Sequence, residues 1–134
     1  MDPFTEDQIE TMALEVERQL EALRRPAAAF TKSLGGDGDG EQPQLRVISQ
    51  ATGENAPTFL ERFRQAARND ICHEGGIVYQ QWSKWRDVDP KTAVRTISGV
   101  LMAMGLTGGP LTAVTVAVAT YLLYLGVDAF CHGE

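Results

Sequence analysis

The only cysteines and the only histidines of this chain form two adjacent pairs, Cys72-His73 and Cys131-His132. Two thiolates and two imidazoles are the ligand set of a tetrahedral zinc site, and two thiols can also form a disulfide. Neighbouring residues on a regular helix point about 100° apart, so neither pair can chelate one ion from within a helix. The pattern therefore favours two free, half-buried cysteines beside histidines near helix ends, and zinc ligation and a disulfide are the weaker alternatives.

The expected helix directions argue against both alternatives. If the predicted helices alternate up and down, Cys72 ends an upward helix and Cys131 ends a downward one. A helix of about twenty residues spans about 30 Å, so this alternation predicts the two pairs at opposite ends of the domain. Cys72 and His73 also make a poor nucleophile–base dyad, because adjacent helical residues do not face each other. Neither GxGxxG nor GxxxxGK[ST] is present. We predict no catalytic residue, no cofactor and no small-molecule substrate.

A second set of residues has the side-chain types that anchor protein interfaces, where Trp and Arg are common and charges set specificity. The candidates for contact with a partner are Glu10, Glu17, Arg64, Arg68, Trp82 and Trp85. The two tryptophans also suit a core position, which a domain of this size favours. Between residues 44 and 90 six basic side chains are balanced by six acidic ones, so nucleic acid is not a predicted partner.

Composition limits the remaining classes of protein. The chain has 134 residues, a formal net charge of −6 and a pI of about 4.9, which disfavours nucleic acid and anionic membranes as partners. Two cysteines are too few for a disulfide-built scaffold, and the N-terminal pattern predicts an acidic helix, not a signal peptide. We therefore expect a cytoplasmic, reducing location. Residues 1–5 are compatible with a vector-derived origin and are given no functional weight.

The elements that must position these residues are organised around one apolar stretch. No charged residue and no histidine occurs from Thr96 to Val127, and Thr107-Gly108-Gly109-Pro110 interrupts the stretch near its middle. Glycine permits the turn and proline suits the first turn of a new helix, so the pattern predicts two apolar helices, 90–105 and 110–131. Residues 111–120 almost alternate in strand-like fashion, but the apolar run is long and no partner strands are evident, which favours a helix.

The flanking segments have amphipathic patterns. Thr5 and Gln8 form a capping box, which predicts the start of helix one. Residues 35–44 have the composition of a flexible linker. Leu45–Ile48 is short and β-branched, and we interpret it as an irregular segment or a lone strand. Asn55 predicts the start of the next helix, and Asp89 before Pro90 predicts the start of the hairpin.

The sequence therefore predicts one all-α domain of about five helices, with amphipathic helices packed around a central hydrophobic hairpin at residues 90–131. Residues 1–34 form an acidic N-terminal helix, residues 35–44 a linker and residues 45–134 the helical core. The first functional hypothesis is a non-enzymatic interaction or oligomerisation module that binds a protein partner or itself. The alternative is a membrane-active protein that exposes residues 96–127 on a trigger.

Overall fold

The structure, a computed structural model, describes residues 4–24, 43–73, 76–85 and 88–132. Every secondary-structure element in these ranges is helical, as predicted. The seven α-helices are α1 (Glu6–Arg24), α2 (Pro43–Thr52), α3 (Ala56–Ala66), α4 (Ile77–Trp85), α5 (Pro90–Ala103), α6 (Gly108–Leu125) and α7 (Val127–His132), and a π-helical turn, Arg68–Cys72, follows α3.

Two features raise the helix count above the expected five. Leu45–Ile48 lies within α2, so its interpretation as a strand or an irregular segment is wrong. Ile48 is fully buried, and this tertiary contact outweighs the strand preference of a few β-branched residues. The predicted final helix is also divided at Gly126, whose φ of 94° separates α6 from α7. Of the predicted linker, residues 43 and 44 begin α2, and residues 35–42 lie outside the described ranges.

Local capping signals mark the starts of α1, α3 and α5. Thr5 N donates to Gln8 Oε1 (2.8 Å) and Gln8 N donates to Thr5 Oγ1 (3.1 Å), which is the predicted capping box. Asn55 Oδ1 accepts from Thr58 N (3.3 Å) at the start of α3. Asp89 Oδ1 accepts from Lys91 N (3.1 Å) at the start of α5. These bonds satisfy backbone donors that have no partner within the helix.

Helix α6 lies at the centre of the packing. Its residues from Val114 to Thr120 are buried without interruption, so this central part of α6 has no face in contact with water, whereas both ends of the helix are exposed. A helix that is apolar on all sides must be surrounded by other elements. Its main neighbours are α1, α2, α5 and α7. The strand interpretation of residues 111–120 is excluded, because these residues form continuous α-helix.

Helix α1 packs across both α5 and α6 through a single apolar stripe. Ile9, Met12, Val16 and Leu20 are all buried. Two ion pairs border the stripe: Arg95 Nη2 lies 2.6 Å from Glu6 Oε2, and Lys91 Nζ lies 3.6 Å from Glu10 Oε2. These are exposed pairs, which contribute about 0–1 kcal/mol each, so burial of the stripe holds α1 in place.

Val16 and Leu14 provide a matched test of this packing. Val16 is fully buried and Leu14 is 66% exposed on the opposite side of the same helix. We expect Val16→Asp to lower the free energy of unfolding by about 3 kcal/mol or more, because it buries an unpaired carboxylate. Leu14→Asp should cost less than about 1 kcal/mol. Urea denaturation followed by far-UV circular dichroism measures both, and equal effects would mean that α1 does not pack as described.

Candidate functional site

The structure joins Cys72 and Cys131 in a disulfide, with the two Cα atoms 5.6 Å apart and 59 positions separating them in sequence. The prediction of free cysteines at opposite ends of the domain is therefore wrong. It assumed long helices that alternate in direction. Instead the π-turn follows α3 directly, and the short helix α7 follows Gly126 and packs against that turn. We call the π-turn, α7 and their disulfide the disulfide corner.

Close backbone packing shapes the chain beside this corner. A Cβ atom placed on Gly76 would lie 2.3 Å from the carbonyl oxygen of Asp70 in the π-turn, so only glycine fits at this position. Gly76 N also donates to His73 O (2.8 Å). Gly76 therefore lies tightly against the π-turn, and α4 begins at the next residue.

Arg64 holds α7 from the neighbouring helix α3. Its Nε donates to the carbonyl oxygen of Phe130 (3.0 Å), and its guanidinium carbon lies 6.0 Å from the centre of the Phe130 ring. The same side chain forms an ion pair with Glu61. The Phe130 ring meets the Phe63 ring edge-on, with centroids 6.0 Å apart. Arg64, a predicted partner-binding residue, thus makes intramolecular contacts that satisfy a carbonyl of a short helix.

Other predicted residues lie in or near the corner. The half-buried Trp82 packs on Gly126, where an added Cβ atom would lie 3.0 Å from Cη2 of the indole. Arg68 and His73 are exposed at the two ends of the π-turn. The side chains of Trp85 and His132 lie outside the described part of the structure. The corner therefore includes Trp82 and Arg68 near the disulfide.

The acidic candidates Glu10 and Glu17 belong to α1 and not to this corner. Both are exposed, and Glu10 pairs with Lys91. On the same helix, hydrogen bonds from Gln19 and Arg18 lower the pKa of Glu15, and the positive charge of Arg18 lowers it further. The lowered pKa favours the ionised form of Glu15, the residue that follows the exposed Leu14 in sequence.

The corner offers one kind of chemistry, thiol–disulfide exchange. Both sulfur atoms are consumed by the disulfide, so in this form neither Cys72 nor Cys131 can act as a thiolate ligand of zinc. Within the described ranges, no group of three or more His, Cys, Asp or Glu residues is placed to hold a metal ion. An oxidising compartment is the usual setting of a stable disulfide, so this bond weighs against the cytoplasmic expectation, which stays a prediction.

Comparison with known proteins finds no family model that matches this chain, and no curated protein or solved structure that matches it.

Sequence reasoning underrated the disulfide and overlooked three other features. Phe130 of α7 packs against Phe63 of α3, Lys91 and Arg95 pair with α1, and Leu14 is exposed. The even number of cysteines was the available signal for a disulfide. No signal in the sequence predicted the two ion pairs between α1 and α5, because the paired residues lie more than eighty positions apart.

Gly126 and Gly99 are a matched pair for testing the corner. Gly126 has a φ of 94° and lies against Trp82, whereas Gly99 is exposed within α5 and has nothing within 4 Å of an added Cβ atom. We expect Gly126→Ala to lower the free energy of unfolding by about 1–3 kcal/mol through backbone strain and crowding. Gly99→Ala should raise it by about 0.5–1 kcal/mol. Thermal unfolding measures both, and a neutral Gly126→Ala would contradict the tight approach of Trp82.

Removal of the disulfide should lower global stability. A cross-link that closes a loop of this length restricts the unfolded chain, and its loss typically costs about 2–4 kcal/mol. We expect the Cys72→Ser/Cys131→Ser double variant to unfold at a lower urea concentration than the oxidised protein. A reducing agent should shift the wild-type curve toward that of the double variant and leave the double variant unchanged. Coincident curves for all four samples would show that the bond does not constrain the chain.

Proposed function

We propose that this protein is a non-enzymatic interaction module, with the α5–α6 hairpin as its internal scaffold and the outer face of α1 as its contact surface. The proposal is carried by Leu14, which is 66% exposed, more than any other large apolar side chain in the described part of the chain. Glu10 and Glu17 lie one turn before and one turn after it on the same face. An apolar centre with a charged border is the usual anatomy of a small interface.

The charge of α1 defines the chemistry of the partner. Residues 1–33 carry seven acidic and four basic side chains. Glu6 and Glu10 are already paired with basic residues of α5, which leaves Glu17 as the carboxylate that a partner can contact. The complementary partner therefore has an apolar side chain that meets Leu14 and a Lys or Arg that meets Glu17. Self-association through this face would bring like charges together, so a different protein suits it better than a second copy.

Cross-linking tests this surface directly. A photo-crosslinking amino acid at position 14 should trap a partner in cells, and the same amino acid at the exposed position of Arg62 on α3 is the control. The trapped protein must then bind purified wild-type chain, and Glu17→Arg should weaken that affinity at least tenfold while Arg62→Glu leaves it within about twofold. Adducts that are equal at the two positions, or an affinity insensitive to Glu17→Arg, would contradict the proposal.

A membrane-active protein is the second candidate, and one observation favours it. The turn of the hairpin is exposed and lies within the charge-free stretch; Met102 is 42% exposed, and the residues from Thr107 to Pro110 are exposed. Helix α6 spans Gly108–Leu125, has a mean hydropathy of 1.5 and is long enough to cross a bilayer. Half of it is buried, and core helices of soluble proteins share these properties, so we rank this function second.

Two charge substitutions separate the candidates. We expect vesicles of phosphatidylcholine and phosphatidylglycerol to retain a trapped dye with wild-type protein from pH 4 to pH 8, because α6 already has apolar neighbours. Under the second candidate, wild type releases the dye and Met102→Glu abolishes release, whereas Glu17→Arg does not. Under the first candidate, Glu17→Arg abolishes partner binding and Met102→Glu does not. Dye release with this pattern of variants would overturn our ranking.

A further inference from the structure

The two cysteines lie in the shortest helical elements described. Cys72 ends the five-residue π-turn, and Cys131 is near the end of α7, which has six residues. Helices shorter than about twelve residues are marginal on their own in water, so both elements depend on tertiary contacts. The position of the disulfide therefore bears on local order at this corner as well as on global stability.

Apolar burial and a hydrogen bond are among the contacts that hold α7 in place. Phe130 is buried against Phe63, its carbonyl oxygen accepts the bond from Arg64, and Val127 is buried. The disulfide is the one covalent contact of α7 with a distant part of the described chain. It is also the contact that cellular thiols can make and break, because the others do not respond to redox conditions.

We infer that the Cys72–Cys131 disulfide is a redox latch that keeps α7 on the π-turn, and that its reduction releases α7. Release would uncover the ring of Phe63, which is fully buried and meets the ring of Phe130 in the oxidised form. This inference is independent of the partner surface on α1. The inference also predicts the state of α7 in each kind of compartment: α7 stays docked on the π-turn under oxidising conditions and is released under reducing conditions.

The reaction balances with a dithiol as the reductant. A thiolate of the dithiol attacks one sulfur of the disulfide, the sulfur–sulfur bond breaks, and a mixed disulfide forms. The second thiol of the reductant then attacks the mixed disulfide and displaces the protein sulfur. The reductant leaves with an internal disulfide between its own two sulfur atoms. Two electrons and two protons end on Cys72 and Cys131 as two thiols. Each cysteine residue is half-buried and keeps part of its surface in contact with solvent.

Hydrogen exchange followed by mass spectrometry tests the latch on the full chain. The oxidised protein is compared with protein reduced by a dithiol, with two free thiols per chain confirmed by titration, and with Cys131→Ser. The measured quantity is the exchange rate of peptides from 127–132 and 68–72 relative to a peptide from 111–123 in α6. We expect this ratio to rise at least tenfold on reduction and in Cys131→Ser, and reoxidation should restore it. An unchanged ratio would overturn the inference, because the disulfide would then act on global stability alone.

Trp82 gives a second readout that does not depend on a cysteine variant. Its indole packs on Gly126, the residue that precedes α7. In a Trp85→Phe background with an unchanged helical spectrum, reduction should shift the emission of Trp82 to longer wavelength as the site opens to water. Gln19→Ala, a change on α1, should leave this shift unaltered. Emission that stays constant through complete reduction would show that α7 remains docked and would overturn the latch.

Discussion

The burial of the central part of α6, from Val114 to Thr120, on all sides is the constraint on which the rest of this structure depends. A helix without a polar face cannot border water, so every neighbouring element must supply an apolar stripe. Two buried hydroxyl groups of the hairpin form hydrogen bonds within their own helices. On α6, Thr115 Oγ1 donates to Leu111 O (2.7 Å), and on α5, Ser98 Oγ donates to Arg95 O (3.0 Å). Because these hydroxyls are satisfied locally, α5 and α6 can pack without a polar network between them.

The acidic helix α1 is attached to this core at the two basic positions that precede the charge-free stretch. Lys91 and Arg95 lie one turn apart on α5 and meet Glu10 and Glu6, which lie one turn apart on α1. Exposed pairs of this kind contribute little free energy, but they favour this alignment of α1 along α5, because a shift by one turn would leave at most one of the two pairs in place. Apolar burial thus supplies the stability of this interface, and charge specifies its alignment.

How much of this was predictable depends on how local each signal is. The capping box at Thr5 and the N-cap at Asp89 involve residues two or three positions apart, so the sequence alone identified both helix starts. Helix α2 was missed because the β-branched Val47 and Ile48 favoured an extended segment, and the buried contact of Ile48 with the core cannot be read from a single sequence. The disulfide was underrated for the same reason, since its two residues meet only through the turn at Gly126.

The same geometry limits how the two ends of the molecule can influence each other. Helix α1 packs mainly on α5 and α6, and α7 packs mainly on the π-turn and α6, so α6 is the element that they share. Coupling between two sites needs an intervening element with two discrete arrangements. The continuous burial from Val114 to Thr120 leaves α6 one well-packed position, because a close-packed core does not deform gradually. The contact face of α1 and the redox state of the corner are therefore expected to act independently, with α6 as a rigid divider between them.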